Sequence, residues 1–295
     1  MRFCSAIQIT FALVIACGAA SAAADNARAQ YLGSFTWQMD RPWFGGWSGI
    51  EMSADGRQMT AITDRGHLMA ARVRREDDQI AAIQPGPIRR LKASTGKYLR
   101  GSTLDSEGLV VSPDSQYFVS FEGVARVARY DTPTATATAL PRASDFRRFE
   151  NNRALEALAM DESGYLFAVP EIADDADEIT VFVLKKGAWS IPFTLDGGGG
   201  FLPVGADFGP DGQFYLLERS WNIFGFRTRL RRWTLVEGHP QQEELLVKTR
   251  TGTHDNLEGV SIWADSQGRT RITMISDDNF MFFQRTELVE YAITE

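Results

Sequence analysis

Acidic residues recur at two positions in this chain, and they are the side chains best suited to chemistry. Three glutamates each directly precede a small residue in a short apolar segment: Glu107, Glu156 and Glu258. Asp207 follows the small residue of its own segment, which we take to be Ala206. A second set ends the next apolar segment each time: Asp64, Glu122, Glu218 and Asp277. Glu171 stands at this second position too, but it opens an acidic run that indicates a solvated loop.

Carboxylates held close together repel one another, so such a group needs a bound cation or raised pKa values. Hard oxygen ligands favour Ca²⁺ or Mg²⁺ over softer metals. The chain has three histidines, none paired at metal-binding spacing, which argues against zinc. The sequence therefore predicts a calcium site formed by Asp64, Glu107, Glu122, Glu156, Asp207, Glu218, Glu258 and Asp277. The alternative is that these acids only cap turns and accept backbone hydrogen bonds.

Two arginines directly follow acids of the second set: Arg65 after Asp64, and Arg219 after Glu218. A guanidinium beside a group of carboxylates could bind a phosphate or carboxylate of a substrate through two hydrogen bonds. It could equally form a structural ion pair with a neighbouring segment. Arg65 and Arg219 are therefore candidate catalytic residues, with both interpretations open.

The elements that carry these residues repeat along the chain. Each of five segments has a small residue in an apolar strand, a turn rich in Asp, Gly, Ser or Pro, and a second strand ending on an acid; the small residues are Gly49, Gly108, Ala157, Ala206 and Gly259. Sets of about four strands recurring roughly every 50 residues are typical of β-propeller blades. We predict an all-β fold, a β-propeller with five four-stranded blades. A sixth, degenerate blade and an unrepeated sandwich or barrel are the alternatives.

The last repeat has room for only three strands, which start near Val260, Ile272 and Glu287. An N-terminal strand from Tyr31 to Trp37 would supply the fourth and close the ring, leaving no free sheet edge. Residues 31–295 then form one propeller domain. Because equivalent positions in successive blades point to the same axis, the acids should converge on one mouth of the channel.

Residues 1–22 have the features of a cleavable signal peptide: a basic start, a short apolar core and a small-residue exit. The core is too short to span a membrane, so we predict no transmembrane segment and a periplasmic or extracellular location. The segment around Cys17 also fits the bacterial lipoprotein pattern, which would place a lipid anchor there. Cleavage after Ala22 would remove both cysteines, Cys4 and Cys17, and leave no disulfide or thiolate nucleophile.

The net charge of the chain limits the classes of molecule that it can bind. With 38 acidic against 31 basic residues the net charge is −7, and phosphate backbones require clustered Lys and Arg. We therefore expect no nucleic-acid partner and a small-molecule substrate.

Nine short motifs, taken in order, resemble the phytase-like family of bacterial proteins described as having esterase-like activity of phytase. They are Trp47-Ser48-Gly49-Ile50, Thr63-Asp64-Arg65-Gly66, Asp105-Ser106-Glu107-Gly108, Ser120-Phe121-Glu122-Gly123, Leu155-Glu156-Ala157-Leu158, Pro203-Val204-Gly205-Ala206-Asp207-Phe208, Leu217-Glu218-Arg219, Asn256-Leu257-Glu258-Gly259 and Ser276-Asp277-Asp278-Asn279-Phe280. Ala154 stands where members commonly have glycine. The resemblance implies an exported β-propeller, and from it we expect hydrolysis of phosphoesters or esters with calcium as the metal.

Three functions follow as hypotheses. The first is a metal-dependent phosphoester or ester hydrolase, which needs no covalent nucleophile; the chain has no Gly-x-Ser-x-Gly or Arg-His-Gly motif to supply one. The second is a calcium-dependent lactonase or carboxylester hydrolase. The third is a non-catalytic propeller that binds a ligand or partner through exposed aromatic residues, for which the candidates are Trp43, Phe44, Trp47, Trp221, Phe224 and Phe226.

Overall fold

A computed structural model describes residues 28–149, 154–171 and 177–294. The predicted signal peptide of residues 1–22, including Cys4 and Cys17, lies outside the described residues. Within the described ranges, no helix has the length and apolar character needed to cross a membrane.

The described chain is built almost wholly of β-strands, with two short 3₁₀ helices at Gly101–Thr103 and Ser144–Phe149. In chain order the strands are β1 Ala29–Thr36, β2 Trp47–Met52, β3 Gln58–Thr63, β4 His67–Glu76, β5 Gln79–Pro85, β6 Arg89–Arg90, β7 Ser106–Val111, β8 Tyr117–Phe121, β9 Arg126–Tyr130, β10 Thr138–Ala139, β11 Leu155–Met160, β12 Leu166–Pro170, β13 Glu178–Lys185, β14 Ala188–Asp196, β15 Leu202–Phe208, β16 Phe214–Asn222, β17 Gly225–Val236, β18 His239–Lys248, β19 Asn256–Ala264, β20 Thr270–Asp277 and β21 Glu287–Ile293.

These strands form five antiparallel sheets, each a blade of four consecutive strands except the last. The blades are β2–β5, β7–β10, β11–β14, β15–β18, and β19–β21 completed by β1; the short β6 pairs with β4 at the side of the first blade. The first strands β2, β7, β11, β15 and β19 contact one another in a closed cycle. The prediction of a five-bladed propeller is therefore confirmed.

The ring is closed by the N-terminal strand, as predicted. Strand β1 pairs antiparallel with β21, from Ala29 opposite Ile293 to Thr36 opposite Glu287. Side chains from neighbouring blades form the apolar core; Trp263 of the last blade, for example, packs in one cluster with Trp47 and Ile50 of the first. Burial between blades stabilises the ring because it removes this apolar surface from water.

The small residues lie where the five inner strands approach the axis most closely. A Cβ at Gly259 would come within 3.0 Å of the Gly49 Cα, so neither position accommodates a larger residue without movement. A one-residue shift in pairing accompanies this position in each blade, for example between Leu257 and Gly259. In the fourth blade the shift lies between Pro203 and Gly205, which makes Gly205, and not Ala206, the equivalent residue.

Candidate functional site

The register of the blades defines one recurring position at the end of each second strand. The backbone N–H of Asp64 donates to the carbonyl of Gly46, that of Glu122 to Asp105, and that of Glu171 to Ala154. In the last two blades, Leu202 pairs with Arg219 and Asn256 pairs with Asp277. The residues at this position in successive blades are therefore Asp64, Glu122, Glu171, Arg219 and Asp277.

Glu218 lies one residue before this position, and its side chain turns into its own blade. It is fully buried and accepts hydrogen bonds of 2.6–2.8 Å from both Arg229 and Arg231. The structure thus does not bring Glu218 together with the other predicted ligands. It gives the fourth blade a cation, Arg219, where the other four blades have an acid.

The glutamates of the inner strands join the same mouth of the channel. Glu107 and Glu156 are buried, and the charges that act on Glu107 come from Glu156, Glu258, Asp105 and Glu122. Ligand oxygens of Asp105, Glu107 and Glu122 lie within 4.8 Å of one another. The same holds for Glu122, Glu156 and Glu171, so that Glu122 belongs to both groups. Four further acids, Asp64, Glu258, Asp277 and Asp278, are linked to one another by their charges. We call all nine residues together the acidic mouth: Asp64, Asp105, Glu107, Glu122, Glu156, Glu171, Glu258, Asp277 and Asp278.

The pKa values of six of these carboxyl groups are shifted upward, those of Asp64, Glu107, Glu122, Glu156, Glu258 and Asp277. Burial is the largest cause for each, and repulsion from neighbouring carboxylates adds to it. The pKa rises to about 7 for Asp64 and Glu122 and to about 8 for Asp277. The pKa values of Glu107 and Glu156 rise well above the ordinary range. The protein therefore supplies too little positive charge to keep all of these carboxyl groups ionised at neutral pH.

Arg219 supplies part of that charge. Its guanidinium donates to Asn256 Oδ1 at 2.6 Å and to Glu171 Oε1 at 3.0 Å, and it pairs closely with Glu258. Asn256 also donates to Glu258 at 2.7 Å. Arg219 is thus fixed between the third and fifth blades as a structural ion pair, and its partners are members of the candidate site.

The loop before β2 approaches the acids of the fifth and first blades. Gly46 has φ +65°, and a Cβ there would overlap the Asp64 carboxylate; at Gly45, with φ +118°, it would lie 2.6 Å from Asp278 Oδ1. Asp64 Oδ1 is buried and has no hydrogen-bond partner. Arg65 is exposed and stacks on the Phe280 ring, 3.2 Å from its centroid.

Asp207 lies at a different place along the axis. It is two residues beyond Gly205, and the equivalent residue of the first blade is Glu51, whose pKa is raised by burial and by the Asp207 charge. At about 3.3 Å per residue, this position is roughly 10 Å farther along the inner strand than that of Glu107. The structure does not bring Asp207 to the acidic mouth.

Sequence reasoning missed three members of the site. Asp105 and Asp278 flank predicted residues in motifs that we had identified, and Glu171 had been assigned to a solvated loop. Glu171 had the right position in the repeat and was set aside only because an acidic run follows it. Of the aromatic candidates, Trp47 is buried and Trp43, Phe44 and Phe226 are half-buried, whereas Trp221 and Phe224 are exposed.

The acidic mouth fits a hard divalent cation. All its acidic donors are carboxylate oxygens, which Ca²⁺ prefers. Asp64 Oδ1 has no hydrogen-bond partner among the described residues, which agrees with a ligand there. The glycine at position 46 lets the loop approach this carboxylate closely. Glu122 and its neighbours in the second and third blades offer a second such group.

Comparison with known protein families shows the family of this chain. The family described as phytase-like, with esterase-like activity of phytase, matches residues 42–280, most of the chain. The chain therefore belongs to the phytase-like family of β-propeller proteins. No curated protein sequence matches it.

The solved structures to which the chain is similar include three enzymes. An endo-arabinase from Bacteroides thetaiotaomicron VPI-5482 is 13% identical with a TM-score of 0.52, covering 85% of this chain and 94% of that one. A streptogramin B lyase is 14% identical with a TM-score of 0.42, covering 90% and 74%. A gluconolactonase, XC5397 from Xanthomonas campestris, is 13% identical with a TM-score of 0.44, covering 83% and 72%. At these identities the likeness concerns the fold alone.

Proposed function

We propose that this protein is a calcium-dependent hydrolase of small phosphoesters or esters, with its active site at the acidic mouth. The observation that carries the proposal is the convergence of nine carboxyl groups from four blades, several with raised pKa values, beside Arg219, which pairs with two of them. A cluster that repels itself in this way is stabilised by a bound cation. Family membership supports the hydrolytic activity.

Two groups of residues would hold calcium. One centres on Glu122, with Asp105, Glu107, Glu156 and Glu171. The other is formed by acids whose charges act on one another where the first and fifth blades meet: Asp64, Glu258, Asp277 and Asp278. Bound calcium would neutralise substrate phosphate or polarise a carbonyl, and would acidify a water.

The two arginines have different tasks in this proposal. Arg219 is held by Glu171 and Glu258, so it positions these carboxylates and limits the negative charge between them. Arg65 is exposed at the rim and forms no ion pair within the part of the chain that the structure describes. Its guanidinium is therefore available to bind a phosphate or carboxylate through two hydrogen bonds.

The proposal is tested first by calcium titration of the melting temperature. A ligand that binds only the native state raises the melting temperature with its concentration. We expect Ca²⁺ to raise it in the wild type and less in Glu122→Gln, because Glu122 is the central member of the first of these two groups. Glu51→Gln, which removes an acid from the other end of the channel, is the matched control and should respond as the wild type does.

Activity is tested with p-nitrophenyl phosphate and p-nitrophenyl acetate, with and without chelator. Calcium-dependent turnover of the phosphate supports a phosphoesterase. Turnover of the acyl ester alone would instead assign a lactonase or carboxylester hydrolase. Turnover that chelator leaves unchanged contradicts the calcium mechanism. Absence of turnover together with an unchanged melting temperature would make the protein a binding module.

We also propose that the chain is exported, on the basis of its first 22 residues. Mass spectrometry of the protein from its host would show a mature chain that starts after Ala22. A lipid-modified Cys17 at the new N-terminus would instead establish a lipoprotein. An intact Met1 would contradict both.

A further inference from the structure

The opposite end of the channel contains a separate cavity of about 730 Å³. It is lined by turns between the first and second strands of several blades, including Pro113, Ser163 and Gly212, and by the ends of the inner strands. Its size is within the range of about 300–1,000 Å³ that is usual for small-molecule sites. None of the residues of the acidic mouth lines it.

Two carboxyl groups, Glu51 and Asp207, lie on inner strands where this cavity meets the channel. Each carboxylate oxygen of Asp207 already accepts one backbone hydrogen bond, from the N–H groups of Phe208 at 2.7 Å and Ile262 at 2.6 Å. Glu51 has only long contacts, 3.4 Å from the Val111 N–H and 3.4 Å from the Ser261 hydroxyl. Among the described residues, no lysine or arginine forms an ion pair with either group. Glu51 is therefore free to accept a hydrogen bond from a ligand.

The rest of the lining is mixed, with acidic, aromatic and aliphatic side chains and His239. Five carboxyl groups line the cavity, those of Glu51, Asp161, Glu162, Asp207 and Glu237. Lys185 is the one lysine or arginine in the described lining, and its ammonium lies 4.8 Å from the centroid of the Tyr165 ring. The rings of Phe167 and Phe208 pack together 4.9 Å apart, and both also line the cavity.

We propose that this cavity binds a small organic ammonium ion with an apolar or aromatic body. The ammonium would donate to the carboxyl group of Glu51, whose ionised form it would stabilise. The body would lie against the aromatic residues, which also attract cations through their ring faces. A calcium ion fits less well because it needs about 6–8 oxygen ligands, whereas Asp207 is already occupied by backbone amides. This site is independent of the hydrolase proposed for the other mouth.

The test is isothermal titration of the full chain with benzylammonium chloride, compared with benzyl alcohol, a neutral ligand of almost the same shape. We expect saturable binding of benzylammonium and at least about tenfold weaker binding of the alcohol. Glu51→Gln should weaken benzylammonium binding about tenfold while leaving the response of the melting temperature to calcium unchanged.

A pair of lysine variants tests the proposal even if Glu51→Gln fails to fold. Glu162→Lys places a positive charge in the lining at an exposed turn and should weaken binding of the cation. Asp114→Lys makes the same charge change at an exposed turn residue that does not line the cavity, and should not. Equal binding of the two ligands, equal effects of the two lysine variants, unchanged binding in Glu51→Gln, or no saturable binding to the wild type would each overturn the proposal.

Discussion

Glu218→Gln distinguishes a structural carboxylate from a metal ligand. The Glu218 side chain is fully buried and accepts from Arg229 and Arg231, whose side chains are 13% and 4% exposed. Glutamine keeps the shape but leaves two buried guanidinium groups without their shared counterion. Removal of one partner of a buried ion pair costs about 3–5 kcal/mol. At roughly 2–4 °C per kcal/mol for a domain of this size, the melting temperature should fall by about 10 °C.

The measurement is thermal unfolding by circular dichroism in chelator and again across a calcium titration. We expect Glu218→Gln to melt earlier but to show the calcium-dependent rise of the wild type. Glu122→Gln should do the opposite: it removes a carboxyl whose pKa is raised by burial and by Asp105, so the metal-free protein should be no less stable, while its response to calcium is reduced. A Glu218→Gln variant of wild-type stability but reduced calcium response would refute the assignment from strand register.

Three further predictions concern the same mouth and the closure of the ring. The pKa values of Asp64, Glu122 and Asp277 are raised to about 7, 7 and 8, so the folded chain keeps protons that the unfolded chain releases near pH 4. Metal-free protein should therefore lose stability from pH 5 to pH 8, and calcium should raise the melting temperature more at pH 8; a flat profile in chelator would contradict the raised pKa values. Gly46→Ala should weaken the calcium response, because its Cβ would overlap Asp64 and its φ is positive, whereas Gly164→Ala, also at positive φ but with open space around it, should not. Deletion of strand β1 should expose the edge of β21 and produce aggregation, measurable by light scattering; a monomeric, stable product would contradict closure by this strand.

The fold was accessible from the sequence because each blade repeats the same local signals. A small residue, an Asp-Gly type of turn and an alternating strand specify one hairpin, and five copies specify the ring. Even the closing strand followed from a count of strands in the last repeat. The positions of Asp64, Glu122 and Asp277 could be predicted equally well, because each of these acids stands at the end of the second strand of its blade.

The errors have one physical cause, the pairing shift in each blade. A one-residue change of register turns a side chain to the other face of a sheet. Strand β19 of the last blade has 9 residues and β15 has 7, so distance from the small residue did not reveal whether Glu218 or Arg219 faces the channel. Ala206 was matched to the other small residues for the same reason, which moved Asp207 to the wrong end of the strand. Strand partners decide these positions, and they are tertiary information.

The corrected register changes how charge is distributed around the acidic mouth. With Glu218 in the ring, five carboxylates would surround the axis evenly; with Arg219 there, the fourth blade neutralises Glu171 and Glu258 from one side. The strongest uncompensated negative charge then lies in the second and third blades, at Glu107, Glu122 and Glu156, and beside Asp64 where the first and fifth blades meet. Cations should therefore bind away from the fourth blade. Replacing the arginine in Arg219→Gln should increase the affinity for calcium beside Glu171 and Glu258, and it should destabilise the metal-free protein.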